Sequence, residues 1–484
     1  MNIIRILIKK GYVTHMGGLF GVVSTNDCVD DLFYGVDYHS HLGTKRGGMV
    51  VKKQDGFTRS IHNIESDYFR SKFEPDLPKL SGGTIGIGVI SDYDPQPLII
   101  SSVLGTFGLV TVGKIVNIEE LTLRAYDRRL HFSETGGGTI NPTELIAMLI
   151  SEKQSFTEGI IHAQSKIKGS CSMLILTDQG IYAARDKLGR TPIVIGKKEG
   201  SFAAASESAS FPNLGYEEEK YVGPDEIVFM SPDGYEQKKP PGDKLQICSF
   251  LWVYYGYPAS NYEHLNVECV RYKCGKALAQ KDDMSIDYVA GIPDSGIGHA
   301  LGYSNEKRIP YMRPFVKYTP TWPRSFMPQN QSKRDLVAKM KLIPIKSLIK
   351  DKKILFCDDS IVRGTQLHDN VQLLFDYGAD EIHMRLACPT LIYPCEFLNF
   401  SSSRSTLALA GRQAIKEIEG QENKNLESYA IHGSEKNMAM IDKIREMLKL
   451  TSLSYQKLSD LVTAIGLPKE KLCTHCWDGS SYFE

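Results

Sequence analysis

The sequence predicts two domains of different class, a layered α+β domain followed by an α/β domain. Three observations predict it. Up to about Pro240, short runs of alternating apolar residues are separated by Asp-Gly and Gln-Gly turns, the mark of antiparallel sheet. From about Val267 the rhythm changes to strand, loop and amphipathic helix, the mark of parallel sheet with ligand loops at the strands' carboxyl ends. Between them lies the breaker cluster Pro240, Pro241, Gly242. A chain of 484 residues has room for about three domains of ~150 residues, and two larger ones fit equally well.

Taken in order, MNIIRILIKKGYVTH resembles a signal peptide only superficially, because Lys9 and Lys10 end its apolar run and no small-residue cleavage pattern follows. A cytoplasmic protein is expected. Strands are expected in GGTIGIGVIS, PLIISSVLG, FGLVTVGKIVN, SCSMLILTDQGIYAARD and KYVGPDEIVFMSPDG. Helices are expected over Asp30 to Tyr38 and from Pro142 to about Lys153, where NPTE supplies a cap and Leu145, Met148 and Leu149 a face. ICSFLWVYYG forms the join. The second domain then runs through IDYVAGIPDSG, KKILFCDDSIVRGTQLHDNVQLLFDYG and ADEIHMRLACP. Gly420 to Ser434 is polar and reads as an exposed connection to a C-terminal helical tail.

Composition excludes several classes. Hydrophobic residues at 42% and charged residues at 24% sit near the globular average, so the chain should fold. Lys plus Arg, 57, equals Asp plus Glu, 57, so no global field favours nucleic acid or an anionic membrane, and a phosphate site must be local. Every apolar run is interrupted well short of the ~20 residues a membrane helix needs. Ten cysteines are too sparse for a disulfide scaffold; the closest pair, Cys473 and Cys476, has the C-x-x-C spacing of metal or redox chemistry.

The strongest chemical motif is KKILFCDDSIVRGTQ. Its strand delivers adjacent carboxylates, Asp358 and Asp359, and a loop of small residues then opens a helix. Such acids can accept hydrogen bonds from neighbouring ribose hydroxyls, while backbone N–H groups of Ser360 to Thr365 and the helix dipole hold a terminal phosphate. Gly364 lets the backbone approach the ligand. The bland alternative, an N-cap and a turn, does not account for the strand, acid pair and turn together.

DDSIVRGT after an apolar strand resembles the phosphoribosyl pyrophosphate (PRPP) signature of type I phosphoribosyltransferases. IPDSG, Ile292 to Gly296, resembles the loop that such enzymes set against pyrophosphate and metal. The remaining chain resembles the amidophosphoribosyltransferase family, which joins nitrogen from glutamine to PRPP in purine biosynthesis. YAARDKLGRTPIVIGK, AAASESASF and PDEIVFM resemble strands of that family's glutaminase domain, and SFMPQNQSKRDLVAKMKLIP its mobile loop over PRPP. The resemblance implies a layered αββα domain like the N-terminal nucleophile hydrolases over residues 17–245, then a type I phosphoribosyltransferase domain with a helical tail over residues 246–484. It implies PRPP binding by Pro293, Asp294, Ser295, Gly296, Lys317, Arg324, Gln331, Arg334, Asp358, Asp359, Ser360, Ile361, Val362, Arg363, Gly364 and Thr365. Mg²⁺ is expected at Ser295, Asp358 and Asp359, because it takes hard oxygen ligands and would stabilise the departing diphosphate. The family's Asn-Arg-Tyr step appears as Tyr318, Thr319, Pro320, one cation short.

The glutaminase half departs from the family at three points. Its nucleophilic cysteine, freed as a mature N-terminus, is matched by Gly17 in MGGLFGV; its oxyanion Asn by Val112 in TVGKIVN, leaving Gly113 and Asn117; its glutamine-binding Arg by Ser91. Loss of one oxyanion donor costs about 2.7–4 kcal/mol, and loss of the nucleophile removes the covalent route. Residues preceding Met16 would also block the α-amino base, unless translation starts there. Glutamine hydrolysis is expected to be absent. Cys28, the nearest thiol, reads as a half-buried structural residue.

Some family members hold a [4Fe–4S] cluster through four cysteines, and Cys248, Cys395, Cys473 and Cys476 match all four places. Soft thiolates suit Fe–S or zinc over hard cations; the two distant partners of the C-x-x-C favour the cluster. His475 reads as a bystander, and Cys171, Cys269, Cys274, Cys357 and Cys388 as packing. The expected activity is conversion of PRPP and ammonia to phosphoribosylamine and diphosphate by a homo-oligomer. The alternative is a non-catalytic PRPP- or nucleotide-binding regulatory paralogue.

Overall fold

The computed structural model describes residues 17–480 except 93, 134, 137–138, 318–341 and 399–405. Arg324, Gln331 and Arg334 therefore lie outside the described residues, as does the Tyr318-Thr319-Pro320 step.

The first domain is two stacked antiparallel sheets between helices. In chain order its main elements are β1 (Gly17–Ser24), α1 (Val29–Asp37), β2 (Arg46–Lys53), β3 (Gly56–Asn63), β4 (Ile85–Ser91), β5 (Leu98–Ser102), β6 (Gly105–Ile115), α2 (Pro142–Ser151), α3 (Phe156–Lys166), β7 (Gly169–Leu176), β8 (Ile181–Ala184), β9 (Val194–Lys198), β10 (Ser201–Ala205), β11 (Glu217–Tyr221), β12 (Ile227–Ser231) and β13 (Gly234–Lys239). One sheet has the order β11-β9-β10-β1-β4-β2-β3 and the other β13-β12-β8-β7-β6-β5. Leu19, Val89, Leu174 and Val228 fill the space between the sheets. Leu32 and Val36 of α1 seal one outer face, and Leu145, Ile146 and Ile160 of α2 and α3 the other. That is the αββα layering the sequence implied.

Local chemistry explains the elements. The glycines of IGIGVIS are spacers: a Cβ on Gly88 would stand 2.4 Å from Val36 Cγ2, so α1 can lie on the sheet only where side chains are missing. Asn141 caps α2 by accepting from Thr143 N at 2.9 Å, with Pro142 at the first helical position.

The second domain begins at β14 (Ile247–Cys248) and continues through α4 (Val267–Gln280), β15 (Tyr288–Gly291), α5 (Gly296–Lys307), β16 (Lys353–Asp358), α6 (Thr365–Asp376), β17 (Glu381–Leu386), β18 (Ser452–Tyr455) and β19 (Leu472–Cys473). β15-β16-β17-β18 form a parallel sheet in that order. Alternate residues of β16 serve opposite cores: Ile354 and Phe356 face the helical tail, Leu355 and Cys357 face α4 and α5. Burial on both faces is why this strand reads as continuously apolar.

Two expectations need correction. ICSFLWVYYG is more than a join: Leu251–Tyr255 is a single π-turn, with Trp252 and Val253 fully buried. Its carbonyls are collected by Arg271 of α4, which donates to the oxygens of Trp252, Tyr254 and Gly256 at 3.1, 3.0 and 2.9 Å. Gly420 to Ser434 is not simply an exposed connection either. It contains the helical turn Leu426–Ala430, and Tyr429 is fully buried, donating to Glu419 Oε1 at 3.1 Å. Its apolar ring outweighs the polar composition around it. No helix among the described residues is long and apolar enough to cross a membrane.

Candidate functional site

The acid pair lies where the parallel sheet ends. Gly291, last residue of β15, is in register with Cys357, so the loop Ile292–Ser295 and the loop after Asp358 issue side by side. A Cβ on Gly296 would stand 2.3 Å from Cys357 O, so glycine is what allows α5 to start against the neighbouring strand. Ser295 Oγ donates to Asp358 Oδ1 at 3.2 Å, Asp359 N to the same oxygen at 2.9 Å, and Ser360 Oγ to Asp359 Oδ2 at 2.6 Å. Burial first, and then the Asp359 carboxylate, push the Asp358 carboxyl well above its usual range. Gly364 takes a left-handed conformation, φ +76°, at the cap position of α6, leaving the first backbone N–H groups of that helix without intrahelical acceptors.

The loop divides its residues by role. Arg363 is exposed, whereas Ile361 is 4% exposed within the apolar core and Val362 packs on a second core. The carbonyl of Val362 is taken by Ala410 N at 2.8 Å. Ile361 and Val362 therefore anchor the loop through their side chains. Pro293 and Asp294 lie at the mouth, and Lys317, the last described residue before position 318, donates to Asp294 Oδ2. Two expected ligand groups thus hold each other. Two carboxylates and a hydroxyl make an all-oxygen set that could hold Mg²⁺, which is held by one or two carboxylates together with substrate phosphate oxygens.

The other end of the molecule's chemistry is at β1. Gly17, its first described residue, is in register with Ser91. A Cβ here would stand 2.6 Å from Ile90 O and 3.0 Å from Val112 Cγ1. Gly17, Val112, Gly113, Glu207, Cys248 and Tyr255 are among the residues around a cavity of about 50 Å³ between the sheets and the π-turn. Ser91 Oγ donates to Asp94 O at 3.0 Å, and Asn117 is engaged with Lys166 O and Lys168 N at 2.9 and 2.8 Å. Cys28 is 1% exposed, fully buried where a half-buried residue was expected, and burial followed by Asp27 and Asp31 pushes its thiol up.

One polar centre on this cavity was missed from the sequence. Glu207, 2% exposed, accepts from Tyr262 Oη at 2.5 Å and Ser260 Oγ at 3.0 Å, and pairs with His41 Nε2 at 3.0 Å. Burial would raise its carboxyl, but His41 and the hydrogen bonds outweigh that and hold it down at about 2. The motif AAASESASF contains it without any spacing signal, because its partners come from 41, 260 and 262.

The four cysteines of interest ring one small space. Cys248, Cys395, Cys473 and Cys476 line it with Arg190, Phe397 and Trp477 among others, none of the four in a disulfide. Cys248 and Cys473 are parallel register partners on β14 and β19. Among the described residues no three His, Cys, Asp or Glu side chains gather as ligands of one metal ion. Four thiols are soft donors, the kind that Fe–S groups and zinc take. His475 lines the same space, edge-on to Phe397 at 5.5 Å. Of the five cysteines assigned to packing, Cys171, Cys274, Cys357 and Cys388 are buried, but Cys269 is exposed on the first turn of α4, where nothing apolar covers that face.

An αββα layer joined to a parallel-sheet domain with an acid pair at its strand ends defines the glutamine-amidotransferase-linked phosphoribosyltransferase class. Comparison agrees. A glutamine amidotransferase domain family matches residues 85–213. The amidophosphoribosyltransferase of Methanothermobacter thermautotrophicus is 28% identical, covering 98% of this chain and 96% of that protein. That of Archaeoglobus fulgidus is 30% identical over 67% of this chain and 70% of that protein. The structure of glutamine PRPP amidotransferase from B. subtilis complexed with ADP and GMP superposes with a TM-score of 0.82 at 25% identity, covering 96% and 97% of the two chains. The chain belongs to the amidophosphoribosyltransferase family.

Proposed function

We propose that this protein forms phosphoribosylamine and diphosphate from PRPP and ammonia, and that it does not hydrolyse glutamine. The reading rests above all on Gly17. It has no nucleophile, and its neighbours Ile90 O and Val112 Cγ1 leave no room for a side chain without adjustment. By the resemblance, Ser91 and Val112 take the places of a guanidinium and an amide donor, so charge recognition and oxyanion stabilisation would be missing with the thiol.

Asp358 and Asp359 would accept hydrogen bonds from the ribose hydroxyls, and the N–H groups at the start of α6 would hold the 5′-phosphate. Ser295, Asp358 and Asp359 would hold Mg²⁺, which when bound supplies charge for the departing diphosphate. Asp294 and Lys317 sit at the mouth, where the diphosphate would compete with Asp294 for the ammonium group. Cys248, Cys395, Cys473 and Cys476 would hold a [4Fe–4S] cluster that ties the C-terminal tail to the join. Residues 17–245 are retained as scaffold and cover.

The test is diphosphate release from PRPP with ammonium against glutamine as donor, alongside a binding titration with PRPP. Release with ammonium alone is the expected result. Binding without turnover by either donor establishes the regulatory alternative, and no binding at all sinks both.

A further inference from the structure

Arg190 is not among the thiols, yet it lines their space and is 1% exposed. It belongs to the loop after β8, in the first domain, whereas all four cysteines belong to the second. The loop is rigid because it is wound round one buried carboxylate: Asp186 Oδ1 accepts from Arg190 N at 3.1 Å and Leu188 N at 3.3 Å, and Oδ2 accepts from Thr191 N at 2.9 Å and Thr191 Oγ1 at 2.8 Å. Gly189 turns the chain at φ +63°.

This loop is stitched directly to the cysteine segments. Leu188 O accepts from Gln246 N at 2.7 Å and Arg190 O from Cys248 N at 3.4 Å, so the loop runs beside β14, which in turn pairs with β19 through Cys248 and Cys473. The guanidinium then reaches across. Its Nη2 donates to Gln246 Oε1 at 2.7 Å, it lies 3.6 Å over the Phe397 ring, and it lines the same space as the Cys473 thiol. Two neighbours from different segments thus fix a permanent cation beside the thiols.

We propose that Arg190 is a positioning residue for the Fe–S cluster, donating an N–H hydrogen bond to the ligating sulfur of Cys473 and locking cluster and first domain together. The inference rests on the cluster reading above. Hydrogen bonds to cluster sulfurs and nearby positive charge stabilise the reduced form, which carries one more negative charge, and so raise the reduction potential. A merely structural arginine would leave that potential unmoved. The first domain therefore keeps a task independent of glutamine chemistry.

The experiment uses the full chain purified without oxygen, as wild type, Arg190→Gln and Arg190→Lys, with iron and acid-labile sulfide content, reduction potential and the rate of bleaching in air measured on each. Wild type is expected to carry iron and sulfide in equal amounts. Arg190→Gln is expected to have a more negative potential and to bleach about tenfold faster, with Arg190→Lys between them. Wild type without iron overturns the cluster reading itself. Loaded wild type with an unchanged potential and bleaching rate in Arg190→Gln overturns the role of Arg190 alone. If Arg190→Gln fails to fold, wild type decides: Fe–S stretching bands that do not move between H₂O and D₂O, or that move as far in Arg190→Lys, overturn the hydrogen bond, and a shift in wild type that shrinks in Arg190→Lys supports it.

Discussion

Lys317 and Asp294 form an ion pair at the mouth of the acid-pair crevice. The pair puts a cation beside the position where a diphosphate would lie, held by a carboxylate that is 61% exposed and so easily displaced. Replacing Lys317 by Ala removes a charge-assisted hydrogen bond of about 1.5–3 kcal/mol, which weakens PRPP binding about 10- to 100-fold. Calorimetric titration in the presence of Mg²⁺ measures it; unchanged affinity would take Lys317 out of the site.

Supplying a thiol at position 17 alone is expected to give no glutaminase. Gly17→Cys places a Cβ 2.6 Å from Ile90 O, a backbone atom that cannot swing aside. Overpacking of this kind costs about 1–3 kcal/mol. Denaturant unfolding is expected to show that loss, and a glutamate-release assay no glutamine hydrolysis. Recovery of hydrolysis by this single change would contradict the reading of Val112 and Ser91.

Glu207 makes stability acid-sensitive. Its folded carboxyl lies at about 2 against an ordinary value of 4.5, so the stability it contributes is complete above about 4.5 and is lost as pH falls from there towards about 2. His39 acts in an earlier window: burial holds its folded value at about 4 against 6.5, so stability falls as pH drops from about 6.5 to about 4. Urea melts of wild type and Glu207→Gln across pH 7 to 3 are expected to converge only below about 4.5. A constant offset through that range would assign Glu207 a neutral role.

Removing Cys476 tests the thiol ring. Cys476 is 8% exposed in the space shared with the other three cysteines, and Cys476→Ser replaces a soft ligand by a hard one. Iron per chain is expected to fall by about an order of magnitude in the purified protein. Retention of full iron would direct attention to another ligand set.

The class of each domain was legible because periodicity is local. Alternation marked the antiparallel strands, NPTE marked the start of α2, and a strand running straight into Asp358 and Asp359 marked the crevice. The resemblance matched Gly17, Val112 and Ser91 with the places of a nucleophile, an amide and a guanidinium. The chain's order also named the four cysteines, but only as positions far apart in sequence.

What tertiary structure decided was partnership across distance. Whether Ile361 faces ligand or core depends on which helix packs behind it, and the tail supplies that helix. Glu207 became a polar centre only when His41, Ser260 and Tyr262 closed round it. Arg190 came to share one space with Cys473, more than half the chain away, because its loop runs beside β14 and β14 pairs with β19. Strand and helix signals repeat within a few residues and so survive in one dimension; side-chain contacts between segments hundreds of residues apart depend on how the sheets stack, which no local pattern encodes.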